Sequence, residues 1–298
     1  MQTDVLIIGS GNAGATAALR LAADRERQIT VITRADSPGD SNSSYAQGGI
    51  VSRGTDDSAA LLTEDILRAG AGLSYPAAVS LLAAEGPRLL RELVIDEAGL
   101  QFDQDETSEL LYVLEAAHSR RRILHDGDAT GHAIMVALLH QVAAQPNIEV
   151  LTQRTAVDLL TYPHHARDPH AIYAPPECFG AYIFDHTTRK VRPLLANRTI
   201  LATGGPGQIY QNTSNPHGAR GDGLAMTYRA GARIANAEYV QFHPTTLHMP
   251  GTTKFLISEA VRGEGGVLLT PDGQPFMEGY APEWSDLAPR DVVARAIY

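Results

Sequence analysis

The chain has 298 residues, 44% of them hydrophobic and 19% charged, which excludes a disordered or fibrous protein and allows one large domain or two smaller ones. A formal net charge of −10 argues against a nucleic-acid surface but not against a small acidic substrate, because a few buried arginines make a cationic pocket inside an acidic protein. The single cysteine, Cys178, excludes an internal disulfide and reads as inert in its proline-rich surroundings.

The chain opens directly on a strand pattern. No basic and apolar leader precedes it, and no apolar run reaches the length of a membrane span, so a soluble cytoplasmic protein with no membrane partner is expected. Residues 5–8 are apolar, Gly9-Ser10-Gly11-Asn12-Ala13-Gly14 follows, and an alanine-rich stretch runs over 15–23. Strand, glycine turn and helix are predicted, and the β-branched run 29–33 completes a βαβ unit. In that context Gly9 permits the tight turn, Gly11 lets the backbone approach a pyrophosphate, and Gly14 allows close packing of helix on strand. The positive end of the helix then faces the phosphate charge. An ordinary glycine turn of an α/β protein is the plainer alternative. At the end of the second strand Thr33-Arg34 stands where an acidic residue commonly binds a ribose hydroxyl. Thr33 still hydrogen-bonds and Arg34 suits adenosine or phosphate, which points away from a plain NAD dehydrogenase.

Residues 37–49 are too rich in Ser, Gly, Asn and Pro for regular structure. Helices are predicted over 58–69, 76–93 and 128–144, and strands over 148–151 and 156–160. Residues 162–177 read as a loop. Its His164, His165 and His170 have only Asp168 near them at any ligand spacing, so no metal site is expected. A hairpin is predicted from 180–184 and 190–193, and a separate buried strand over 199–202. A domain boundary is placed at Asn236, giving a first domain over 1–236 and a partial second one over 237–298. The last residues, Ala294 to Tyr298, lie in a helical pattern without a C-cap signal, as in an interrupted protein.

Collinear blocks run along nearly the whole chain. They include Ser43-Ser44-Tyr45-Ala46-Gln47-Gly48-Gly49-Ile50, His118-Ser119-Arg120-Arg121-Arg122-Ile123-Leu124-His125 and Asp128-Ala129-Thr130-Gly131. Ala202-Thr203-Gly204-Gly205, Gly221-Asp222-Gly223, Gln241-Phe242-His243-Pro244-Thr245, Arg262-Gly263-Glu264-Gly265-Gly266 and Pro289-Arg290-Asp291-Val292-Val293 continue them. In these the sequence resembles the succinate dehydrogenase/fumarate reductase flavoprotein family and, within it, the branch that oxidises L-aspartate. The resemblance implies an α/β fold: a Rossmann-like FAD-binding domain of the glutathione-reductase type with a β-meander, followed by the start of an α+β capping domain. It implies that the loop Asn42, Ser43, Ser44, Tyr45, Ala46, Gln47, Gly48 and Gly49 wraps the flavin and that Asp222 binds FAD. Membrane-bound relatives attach the flavin through a histidine where Asn42 stands, so non-covalent FAD is expected.

At the substrate, the resemblance makes Arg290 the proton-transfer residue. An arginine is protonated throughout the working range, so a purely electrostatic clamp is the alternative. His243 matches a histidine that holds a substrate carboxylate, against the simpler reading of a buried histidine bonded to backbone. Ser258 and Glu259 match a Thr-Glu pair lining the same site. Glu115 suits the ammonium of aspartate and would be a repelling charge beside succinate; as a solvated glutamate it would mean nothing. Arg120 to Arg122 read either as a solvated basic run or as a run of which one member helps orient an acid. The implied reaction is oxidation of L-aspartate to iminoaspartate, with electrons passed to oxygen or fumarate, the first step of de novo NAD biosynthesis, and quinolinate synthase as the next enzyme. A soluble fumarate reductase or succinate-oxidising flavoprotein, and a non-catalytic dinucleotide-binding fragment, are the alternatives.

Overall fold

The computed structural model describes residues 1–249 and 255–298, in two compact units: residues 1–45 with 134–237, and residues 46–133 with 238–298. The first unit grows from a strand without a polar face. Val5, Leu6, Ile7 and Ile8 are each at most 5% exposed, so β1 (Gln2–Ile8) has to be covered on both sides. Such a strand belongs inside a parallel sheet. β1 pairs in parallel with β2 (Ile29–Ile32), Val5 opposite Ile29, and β3 (Ile148–Leu151) extends β2 in the same sense. The helix Asn12–Ala22 covers one face, Ala18 and Ala22 packing with Val5, Ile7, Ile29 and Val31.

The other face is covered by the sheet's own continuation. β4 (Arg154–Tyr162), β5 (Glu177–Asp185) and β6 (Lys190–Leu201) form an antiparallel meander. Their Leu159, Ala181, Ile183 and Leu194 join Leu6, Ile8, Ile32 and Met226 in one core cluster. The strand order is β3-β2-β1-β6-β5-β4, with β6 parallel to β1. The parallel sheet, glycine turn and meander are the α/β architecture expected from the sequence.

One expectation is corrected. Residues 190–193 and 199–202 were predicted as two strands, but β6 is continuous through Leu201. Its first half pairs with β5, and its pairing with β1 begins at Leu195. Pro193, which interrupts the strand pattern in the sequence, therefore sits where β6 has a neighbour on one side only, a place a sheet tolerates proline. The domain expectation also differs from this grouping, which places residues 46–133 with the C-terminal stretch rather than in an unbroken 1–236.

In the second unit Ser58 caps the helix Ala59–Ala69, its hydroxyl accepting the Leu61 N–H at 3.2 Å. The helix Pro76–Leu90 holds Pro87 in its interior and passes into a π-helical stretch, Arg91–Glu97, where a uniform helix to residue 93 was expected. Proline removes the hydrogen bond to the carbonyl four residues earlier. That carbonyl belongs to Ala83, and the Arg53 guanidinium donates to it at 2.8 Å. Two short antiparallel pairs, Ile50–Val51 with Ile123–Leu124 and Thr246–Leu247 with Phe255–Leu256, complete the unit. The helix Arg290–Ile297 packs Val293 against Met277, Ala281 and Ala288. Among the described residues no helix is long and apolar enough to cross a membrane.

The Arg53–Ala83 bond yields a double-mutant test. Arg53→Met is expected to destabilise by about 1–3 kcal/mol in urea unfolding, the cost of an unpaired buried carbonyl. In a Pro87→Ala background the restored main-chain N–H takes that carbonyl, and the same change is expected to cost well under half as much.

Candidate cofactor and substrate sites

The glycine turn is built by exclusion. Gly9 has a φ of +112°, and a Cβ there would lie 2.2 Å from the Ala202 carbonyl oxygen. A Cβ on Gly14 would lie 1.9 Å from the Gly9 carbonyl oxygen. Ser10 is tied back through its hydroxyl to the Pro38 carbonyl at 2.7 Å, Gly11 is the N-cap of Asn12–Ala22 without a side-chain cap, and Ala13 is exposed. The Asn12 N–H donates to Ser43 Oγ at 3.1 Å. Asn12 Oδ1 and Ser41 Oγ are buried beside it without partners. The Ser41 hydroxyl, a donor without a partner at the start of an eleven-residue helix, fits an anionic group such as a dinucleotide phosphate, and the Asn12 amide oxygen fits a donor such as a hydroxyl.

Thr33 donates its backbone N–H to Leu151 and hands the chain to Arg34. Arg34 donates to Asp222 Oδ2 at 3.2 Å and to the Gly218 carbonyl at 2.8 Å. Two residues singled out separately, 188 positions apart, thus form one exposed ion pair. Asn42 opens the short 3-10 turn Asn42–Tyr45. Ser44 Oγ donates to the Gly39 carbonyl. The Tyr45 hydroxyl donates to Asp40, whose negative charge raises the phenol's pKa.

In the second unit Ala46 accepts the Gly131 N–H at 2.9 Å, and Gln47 Oε1 is buried without a partner. A Cβ on Gly48 would meet nothing within 4 Å. Gly49 is the opposite case: its N–H donates to Glu115 Oε1 at 3.4 Å, and His125 Nε2 lies 3.2 Å from the same oxygen. Burial opposes ionisation of Glu115, but His125, the Gly49 amide and the charge of Arg290 outweigh it, and the carboxyl lies below the usual carboxylate range. Glu115 is therefore a buried anion rather than a solvated surface residue.

Glu259 holds two arginines at once. Its Oε1 accepts from Arg262 at 2.6 Å and its Oε2 from Arg290 at 2.9 Å, while Arg290 also donates to Gln241 Oε1 at 2.9 Å. Glu259 and Arg262 are buried; Arg290 keeps 32% of its side chain exposed. Ser258 accepts the Ala260 N–H at 3.3 Å. His243 Nδ1 accepts the Thr245 N–H at 3.3 Å, which puts its ring proton on Nε2. Burial and the positive charge of Arg290 hold the His243 pKa below its ordinary value, so at neutral pH it is an uncharged donor.

The FAD binding domain family matches residues 4–298. The chain belongs to that family. It is 44% identical over 300 residues to L-aspartate oxidase 1 of Ralstonia nicotianae and 43% identical over 296 residues to the L-aspartate oxidase of Halobacterium salinarum. These alignments cover 100% and 99% of this chain but 54% and 55% of those proteins, so the chain spans about half the length of the curated relatives it matches. A solved quinol fumarate reductase of E. coli is similar with a TM-score of 0.88 and 25% identity, over 100% of this chain and 50% of that one. The glycine turn and the Asn12–Ser41–Ser43 corner lie in the family's matched region.

The reading of Arg120 to Arg122 as a solvated run is corrected at Arg122, which has no exposed side chain. Its Nε and one terminal nitrogen grip Asp57 at 2.9 and 2.7 Å, the other nitrogen reaches Asp65 at 2.6 Å, and His118 Nδ1 lies 3.1 Å away. Asp65 also accepts the Ser119 N–H and hydroxyl, both at 2.8 Å. Burial would raise the Asp65 pKa, but the Ser119 bonds and Arg122 hold it below the usual carboxylate range. Sequence reasoning missed this cluster, and it missed His125 and Gln241. It missed Arg262 too, although the i,i+3 spacing from Glu259 is a local signal for that pair; no local signal couples Asp57 to Arg122. His165 and Asp168 do local work: His165 Nδ1 lies 3.1 Å from Thr161 N, and Asp168 accepts the His170 N–H.

Two measurements follow from this geometry. Arg122→Met is expected to cost about 3–5 kcal/mol at pH 7 in urea unfolding, because it strands two buried carboxylates. NMR titration is expected to show His243 as the Nε2–H tautomer with a pKa below the ordinary value of about 6.5. Arg290→Gln is expected to raise that pKa. Since the folded value is the lower one, the neutral form's contribution to stability is complete above the unfolded value and is lost as pH falls through the folded one.

Proposed function

We propose that the chain carries FAD-dependent oxidation of L-aspartate to iminoaspartate, as part of an L-aspartate oxidase. The carrying observation is the buried, ionised Glu115 beside a set of arginine and histidine donors. Cations suit the two carboxylates of aspartate, and an anion suits its ammonium. Succinate has no ammonium, so the same anion disfavours a succinate or fumarate enzyme, the reading that the structural likeness to a fumarate reductase would otherwise favour.

Bound FAD would supply the acceptor for the two electrons leaving the substrate, with oxygen or fumarate reoxidising it. Gly9 to Gly14 and Arg34 with Asp222 would hold its phosphates and ribose from the first unit. Asn42 to Gly49 would hold the flavin, non-covalently since Asn42 offers no imidazole. His243 would donate its Nε2–H to a substrate carboxylate, and Ser258 its hydroxyl. Arg290 can accept a proton only after losing one, and Glu259 Oε2, 2.9 Å away, is the base in contact with it. The enzyme would work in the cytoplasm at the start of de novo NAD biosynthesis, passing its imine to quinolinate synthase.

The test is the absorption of the FAD-loaded protein under anaerobic conditions. Bleaching by L-aspartate and not by succinate is the expected result. Bleaching by succinate alone would move the chain to the fumarate reductase reading, and failure to retain flavin would sink the assignment of activity to these residues.

A further inference from the structure

Glu115 needs a reason to stay ionised where it is. Its side chain is 12% exposed, and a carboxylate so placed neutralises unless polar groups compensate. Both groups that reach it from nearby backbone and ring come to one oxygen, Oε1: the Gly49 N–H at 3.4 Å and His125 Nε2 at 3.2 Å. They come from one register position at the end of a small sheet. Ile50 pairs with Leu124 and Val51 with Ile123, so Gly49 and His125 occupy the next position along the same two strands. The fit is tight, since a Cβ on Gly49 would lie 2.6 Å from His125 Nε2 and 2.5 Å from the Leu124 carbonyl oxygen. The backbone at His125 is fixed in turn by its carbonyl, which accepts the Asp103 N–H at 2.8 Å. His125 is 8% exposed, and its Nε2 is buried without an aligned hydrogen bond, so the neighbouring carboxylate is the group that offsets its burial.

We propose that His125 is a positioning residue that holds the Glu115 carboxylate through Oε1, leaves Oε2 to face a substrate ammonium, and so sets a preference for amino dicarboxylates over plain ones. The selectivity rests on the aspartate reading above; the His125–Glu115 coupling does not. A histidine suits this task better than an arginine or lysine. Its Nε2 approaches Oε1 to 3.2 Å without the permanent positive charge that would neutralise the ammonium site. The other charged or titratable groups acting on Glu115 are Arg290 and His118.

Two measurements on the FAD-loaded protein separate the claims. In the first, carbon-13 NMR of labelled glutamate follows the Glu115 carboxyl, identified by its loss in Glu115→Gln. His125→Phe is expected to raise its pKa, and His125→Gln, which keeps a donor, to restore most of the shift. In the second, calorimetry compares L-aspartate with succinate. His125→Phe is expected to weaken aspartate about tenfold or more while changing succinate little, as loss of a charge-assisted contact does. Glu115→Gln should give a similar loss, and the double variant little more. Equal weakening of both ligands, or an aspartate affinity unchanged by His125→Phe, would overturn the selectivity role. A Glu115 pKa indifferent to His125→Phe would overturn the coupling itself. If the unaltered protein binds no aspartate, the proposed function fails and takes the selectivity with it, whereas the NMR result still decides the coupling.

Discussion

A guanidinium with no exposed surface dictates how the second unit is put together. Arg122 cannot be buried alone, because an isolated charge in a low-dielectric interior is far too costly. It is matched by Asp57, just before the helix Ala59–Ala69, and by Asp65 within it. Ser119 adds two donors to Asp65, so residues 119–122 are fastened to that helix at several points. The next residues, Ile123 and Leu124, pair with Ile50 and Val51. Glu115 lies before the fastened stretch and His125 just after it, so neither can drift without pulling on the buried ions. Such a triad adds little stability over well-packed apolar residues of the same volume. What it gives is location, since only one placement of the segment satisfies every charge.

An acidic chain can still offer cations to the anionic substrate proposed above. The formal charge is −10, yet the candidate substrate groups in the second unit include two arginines on a single glutamate. Glu259 neutralises one of them and leaves the pair with a net positive charge. Burial and the Arg290 charge keep His243 uncharged, and the same charge helps keep Glu115 ionised. One cation thus bears on the protonation of both donor and anion, and the composition of the whole chain says nothing about the sign of the field inside it.

Legibility in the sequence followed the range of the interaction. The strand, glycine turn and helix over the first 22 residues were readable because each glycine answers a contact made within the turn or by the adjoining strand. The Ser58 cap and the Glu259–Arg262 spacing are local signals of the same kind, although neither was drawn from the sequence. Arg122 was not: a basic triplet has the same letters on a surface and in a core, and its partners lie 57 and 65 positions away. The continuity of β6 was hidden by Pro193, whose tolerance depends on where β1 begins. The meeting of Arg34 with Asp222 has no trace in sequence pattern at all.

β6 has a consequence of its own for variation in this unit. One edge of it is measured against the meander and, further along, the other against β1, while its continuation at Ala202 closes on Gly9. The strand therefore acts as a ruler between the hairpin and the glycine turn. Residues gained or lost in the loop between β4 and β5 can be absorbed at the surface. A single residue gained or lost between Lys190 and Leu201 cannot, because it would exchange inward for outward side chains on one ladder while shifting the carbonyl that shapes the turn. Length is thus constrained more tightly there than identity, and the exposed side chains along Lys190–Leu201 are free to vary where their number is not.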